Sequence, residues 1–251
     1  MNTISKSDIF GGNMRYVGGK SRLSKYILPI ILENRKVNQW YVEPFAGGMS
    51  VIENVMGNRI ANDIDEYLIE LYKALQKGWV PPDIITKDEY RHIKDNKELW
   101  TKELVAFVGY GCSFGAKWFG GYAQGGFNGN NTKKCSPRIH SLESKRNLLK
   151  QINKMRDVIF TNNSYQDLEI PKESIIYCDP PYQNTLGYKQ SFDHEMFYKW
   201  CTFKQSEGHR VFISEFYMPE DKFKCVWSKE KKITINMDNY KTKIERLYIP
   251  L

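Results

Sequence analysis

The chain has 251 residues, 41% of them apolar and 26% charged, with a formal net charge of +8. That length can bury a full α/β core with room for one inserted subdomain, and the charge favours a polyanionic partner. The five cysteines, Cys112, Cys135, Cys178, Cys201 and Cys225, form no C-x-x-C pair, and no apolar run is long enough to span a membrane. Neither a zinc site nor a disulfide framework nor a membrane anchor is expected, and the setting expected is reducing and cytoplasmic.

Residues 1–13 read as a polar arm. Gly18-Gly19-Lys20 then opens a predicted helix over Arg22 to Leu32, with Leu23, Tyr26, Ile27, Ile30 and Ile31 on its apolar face. The glycines and Lys20 could receive an anion at the helix start or simply form its capping turn. Next, an apolar strand ends at Glu43, a turn follows through Phe45 and Gly47-Gly48, and a helix is expected from near Ser50. Glu43 only accepts hydrogen bonds, so it suits a cationic or hydroxyl-rich ligand better than a pyrophosphate. A second strand, Ile60-Ala61-Asn62, runs into Asp63-Ile64-Asp65 and a helix over Tyr67 to Leu75. An acid at that tip is placed for ribose hydroxyls, a role assigned to Asp63, while Asp65 reads as the helix cap.

The middle changes character. Short charged pieces with Pro81-Pro82 lead to a helix over Leu104 to Tyr110, then to a glycine- and aromatic-rich loop from Gly111 to Asn131 that holds Lys117 and Trp118. A loop that long inside a compact chain points to function. Lys133, Lys134, Arg138, Lys145, Arg146, Lys150, Lys154 and Arg156 follow with Glu143 the sole acid among them, several on a helix predicted over Ser141 to Met155. Such a run is either a solvated face or a surface for a phosphate backbone.

The sheet resumes with Val158–Phe160 and Ser174–Cys178. Asp193 caps a helix to Gln205, Arg210–Ser214 is another strand, and Lys232–Ile235 with Arg246–Ile249 reads as a hairpin around a polar loop. After Cys178 comes Asp179-Pro180-Pro181-Tyr182. A carboxylate at a buried strand end, a carbonyl beside a second proline and an aromatic face suit a planar ring bearing an amino group, such as adenine or cytosine. A strand followed by a Pro-Pro turn is the plainer reading of the same four residues.

Four elements in order, Tyr16-Val-Gly-Gly-Lys20, Val42-Glu-Pro-Phe-Ala-Gly-Gly48, Asn62-Asp-Ile-Asp65 and Asp179-Pro-Pro-Tyr182, carry a resemblance to the Dam-type (D12 class) N6-adenine DNA methyltransferases. The chain looks closest to phage-borne or orphan members, within the wider setting of restriction-modification. The resemblance implies an α/β fold, a Rossmann-like S-adenosylmethionine-dependent methyltransferase sheet. It implies a catalytic domain over 1–78 and 157–251 and a smaller helical and loop target-recognition insert over 79–156. Tyr16, Lys20, Glu43, Phe45, Gly47, Asp63, Ile64, Ser164, Tyr165 and Asp179 would then bind the cofactor. Asp179, Pro180 and Tyr182 would be catalytic. Lys117, Trp118, Lys133, Lys134, Arg138, Lys145 and Arg146 would meet double-stranded DNA. No metal or membrane is implied, and a transient dimer on DNA is a further expectation. The family's usual arginine-asparagine recognition pattern is not evident around Phe127-Asn128, so the target sequence stays open. RNA adenine or cytosine N4 as the acceptor, a catalytically silent DNA-binding module, and a NAD- or ATP-using protein are the rival readings.

Overall fold

The computed structural model describes residues 18–124, 139–182, 192–236 and 239–251, without the side chains of 231–242. The arm, Tyr16, Lys133, Lys134 and Arg138 lie outside the described residues. Packing divides the chain into two compact units, one of residues 1–21, 47–54 and 65–162, the other of residues 22–46, 55–64 and 163–251.

The second unit carries most of the strands. They are β1 (Tyr41–Glu43), β2 (Arg59–Asn62), β4 (Ile175–Cys178), β5 (Arg210–Glu215), β6 (Phe223–Asn236) and β7 (Asn239–Pro250). Their order across the sheet is β2-β1-β4-β5-β7-β6. β2, β1, β4 and β5 run parallel, while β7 joins β5 and β6 antiparallel. Every residue of β1, β2 and β4 is buried, as expected of parallel strands covered on both faces. The chain leaves β1 for β2 on one side, and β4 lies on β1's other side, so a topological switch point opens beyond the ends of β1 and β4. The Rossmann-like α/β class is thus the one observed.

α1 (Ser21–Ile31) buries Ser24, Ile27, Leu28 and Ile31. This corrects the predicted face, because Tyr26 is 39% exposed. Its ring stacks on Trp227 and lies 3.4 Å beneath the Lys229 ammonium, an arrangement that needs β6 as a neighbour. α6 (His194–Ser206) starts at Asp193, whose carboxylate accepts from the Met196 N–H at 2.9 Å. It buries Phe197, Tyr198, Trp200 and Cys201 in one core with Ile176, Val211 and Ile213. The hairpin is longer than predicted, pairing from Phe223↔Pro250 to Asn236↔Asn239. Charged Lys–Glu stretches hid it, since exposed two-stranded pairing needs no apolar alternation.

The first unit holds α2 (Glu66–Gln76), α3 (Lys87–Asp95), α4 (Lys102–Ala106), α5 (His140–Ile152) and β3 (Ile159–Thr161). The helix expected near Ser50 is a single 3-10 turn, Ile52–Asn54, a second correction. The segment is held by side chains instead. The Tyr72 hydroxyl donates to the Gly48 carbonyl at 3.1 Å, and the Gln151 amide donates to the same oxygen at 2.9 Å. The Gln76 amide satisfies the carbonyls of Met155, Arg156 and Val158 beyond α5. Gly109 admits Trp118, whose ring would lie 2.5 Å from any Cβ placed there.

Asp65 is the α2 cap, as the sequence indicates: its carboxylate accepts from the Leu68 N–H at 3.1 Å and from the Tyr110 hydroxyl. Asp65→Ala removes a cap, so it should cost about 1 kcal/mol in urea unfolding, with Asp65→Asn recovering most of that.

Candidate active site

The switch point of the second unit gathers the tips of β1, β2 and β4. Glu43 ends β1 at 3% exposure, and its Oε1 accepts from the Tyr41 hydroxyl at 2.8 Å. Asn62 ends β2 fully buried. Its amide donates to the carbonyls of Pro44 (3.0 Å) and Asn163 (2.9 Å), and its Oδ1 accepts from the Asn163 N–H at 3.0 Å. The Asn62 carbonyl also accepts from the Ala46 N–H at 2.8 Å. One side chain therefore ties the turn after β1 to the segment that carries Ser164 and Tyr165. Sequence reasoning passed over it, although an asparagine ending an apolar strand must find partners for all its polar atoms. Beside it, Asp63 is half-buried and Ile64 is 74% exposed, an apolar side chain held at a strand tip.

Phe45 and Tyr165 touch at 5.2 Å between ring centroids and form one aromatic wall with Phe192, Phe197 and Trp200. Burial, with the nearby Cys201, Asp193 and Cys178, pushes the Tyr165 phenol up to about 12. Ser164 accepts from the Gln166 N–H at 3.3 Å within the same turn.

β4 delivers Asp179, half-buried, then the buried Pro180 and the half-buried Pro181 and Tyr182. The prolines fix φ and offer no N–H, so the backbone here presents acceptors. The Tyr182 hydroxyl donates to Glu245 Oε2 at 3.1 Å, and its ring meets Phe216 edge-on at 4.7 Å and 90°. Tyr177 shares a hydrogen bond of 2.8 Å with Ser214. Burial holds the phenols of Tyr177 and Tyr182 well above the ordinary tyrosine range. The charge of Asp179 adds most to this, followed by Glu43 and Glu245 at Tyr177, and by Glu245, Tyr177 and Glu215 at Tyr182. A crevice walled by carboxylates and neutral phenols repels phosphate and favours a cationic ligand that donates hydrogen bonds. Among the described residues, no group of three His, Cys, Asp or Glu is placed to hold a metal ion.

The remaining predicted residues fall in the first unit. The Lys20 N–H donates to Ser50 Oγ at 2.9 Å, and Gly47 adopts φ +47°, where glycine is at ease. Lys117 and Arg146 are exposed, but Lys145 is paired with Asp83 at 2.7 Å, so its charge is already compensated. Trp118 is 36% exposed and packs between Tyr67, Tyr110 and Phe119. Phe114, at 73% exposure, is the more open aromatic of that loop and carried no distinguishing signal in the sequence.

Asn62→Ala removes three hydrogen bonds, of which the one to the Pro44 carbonyl is buried and the two to the exposed Asn163 can pass to water. It should lower stability by roughly 1.5 kcal/mol, read as a drop in the thermal midpoint, and Asn62→Asp should not restore it because a carboxylate cannot donate to the carbonyls.

A sequence model of the D12 class N6 adenine-specific DNA methyltransferase family matches residues 16–105 and 120–245. The Type II methyltransferase M.FokI of Planomicrobium okeanokoites is 26% identical over 195 residues, covering 69% of this chain and 29% of that protein. The Modification methylase StsI of Streptococcus sanguinis is 28% identical over 202 residues, with the same shares of 69% and 29%. The chain thus spans under a third of the length of these two relatives.

Proposed function

The chain belongs to the D12 class of N6-adenine-specific DNA methyltransferases, and from that premise we propose that it transfers a methyl group from S-adenosylmethionine to N6 of an adenine flipped out of double-stranded DNA. The observation that carries this reading is Asp179-Pro180-Pro181-Tyr182 at the tip of β4, beside Glu43 at the switch point.

Adenine N6 is a poor nucleophile because its lone pair is delocalised into the ring. The Asp179 carboxylate and the Pro180 carbonyl would accept its two hydrogens and favour a pyramidal nitrogen, with the lone pair turned to the methyl group. As positive charge develops on N6, acceptors already in place stabilise it without reorganisation. The Tyr182 ring would stack on the base outside the duplex.

S-adenosylmethionine, when bound, supplies an electrophilic methyl group on a sulfonium. The fit to this crevice rests on its carboxylates. Glu43 and Asp179 suit a cation, Asp63 suits ribose hydroxyls, and Ile64 with the Phe45–Tyr165 wall suits an apolar ring. Ser164 is assigned there with Tyr165. Lys20, Gly47 and Tyr16 are assigned by motif order alone. Residues 79–156 are proposed as the target-recognition insert, with Lys117, Trp118, Lys133, Lys134, Arg138 and Arg146 facing DNA and Lys145 adding a charge it shares with Asp83. A transient dimer on DNA belongs to the same proposal.

Incubation of unmethylated duplex DNA with tritiated S-adenosylmethionine, followed by base analysis, should place label on adenine N6. Asp179→Ala should reduce it at least about 10²-fold. Label on cytosine N4, or on RNA but not DNA, would move the substrate, and absence of cofactor binding would end the enzyme reading. Arg146→Ala should weaken duplex binding uniformly across sequences and reduce the slope of log Kd against log salt by about one.

A further inference from the structure

We infer that Glu245 is a positioning residue for methyl transfer, holding the Tyr182 ring in the plane on which the acceptor base stacks. The inference rests on the methyltransferase reading above. The pairing of β5 with β7 ends at Glu215↔Arg246, so Glu245 stands one step beyond it, where β7 leaves β5. It is nevertheless 3% exposed, and its Oε2 accepts from the Tyr182 hydroxyl at 3.1 Å.

A buried carboxylate must be matched by hydrogen-bond donors. Glu245 keeps its place at 3% exposure while accepting from the Tyr182 hydroxyl, and Asp179, Glu215 and Glu245 together hold that phenol in its neutral, donating form. What it provides is direction. The two prolines fix the backbone before Tyr182, but not the side-chain torsions. A tether at the far end of the ring and an edge-on neighbour at 90° remove that freedom together.

The edge-on neighbour is itself fixed. Phe216 donates its N–H to Glu215 Oε1 at 2.7 Å, accepts at its carbonyl from the Arg246 guanidinium, and lies 4.3 Å beneath the Lys243 ammonium. Glu245 and Phe216 thus hold the same ring from two strands, β7 and the exit of β5. A stacked base carried by that ring must present N6 to Asp179 and Pro180, and small misplacements of reacting atoms cost rate steeply.

The test compares Glu245→Leu, Glu245→Gln and Tyr182→Phe in steady-state methylation of unmethylated duplex DNA. Tyr182→Phe keeps the ring and removes the tether. Glu245→Leu and Tyr182→Phe should each lower kcat about 10- to 100-fold with the KM for S-adenosylmethionine unchanged. Glu245→Gln, which retains an acceptor oxygen, should stay within about threefold of wild type. The double variant Glu245→Leu/Tyr182→Phe should lose no more than either single change, because both cut one tether.

A merely structural role for Glu245 would instead raise the KM for the cofactor and lower the thermal midpoint in step with kcat, which would overturn the inference. So would an unaltered kcat in Tyr182→Phe, a variant that deletes a single oxygen and so decides the question even where Glu245→Leu fails to fold. If wild type itself methylates nothing, the methyltransferase reading and this inference fall together. If wild type is active and the variants match it, the inference falls alone.

Discussion

Two buried parallel strands, β1 and β4, end side by side while the chain departs from them in opposite directions. The rest of the second unit depends on that constraint. Parallel strands covered on both faces have no room for a returning loop, so their tips leave a crevice, and whatever residues end the strands must line it. Here they are Glu43 and Asp179. Neither could be tolerated mid-strand in this core, and each is tolerable because the tip is where backbone and solvent can still supply partners.

The crevice carries a concentrated negative character. Burial, with Glu43, Asp179 and Glu245 at Tyr177 and Asp179, Glu245 and Glu215 at Tyr182, holds both phenols well above the ordinary tyrosine range. Asn62 meets a related demand: the turn after β1 and the segment at Asn163 have irregular backbone, and one side-chain amide binds both.

The first unit is organised differently. Gly48, at a turn with neither strand nor long helix to stabilise it, receives two side-chain donors, Tyr72 and Gln151, from residues far along the chain. Its basic face is less uniform than its composition implies. Lys145 is absorbed by Asp83 and Lys154 approaches the buried Glu53 at 3.8 Å, while Arg146 stays exposed. Counting charges along a helix overstates the field it offers, since pairing with acids distant in sequence is invisible to the count.

By itself, the sequence determined the local grammar. Apolar runs marked β1, β2 and β4, Asp65 and Asp193 declared themselves as caps, and the carboxylates at 43 and 179 stood at strand ends, because these features follow from neighbours within a few residues. Tertiary structure alone decided which face of α1 is buried, that the segment after Gly48 makes only a single helical turn, that Asn62 binds Pro44 and Asn163, and that Glu245 accepts from Tyr182. Each depends on partners well outside its own stretch of chain. Hydrogen bonds and ring contacts across such distances leave no periodic trace in the chain, and the apolar alternation that does leave one is absent from all of them.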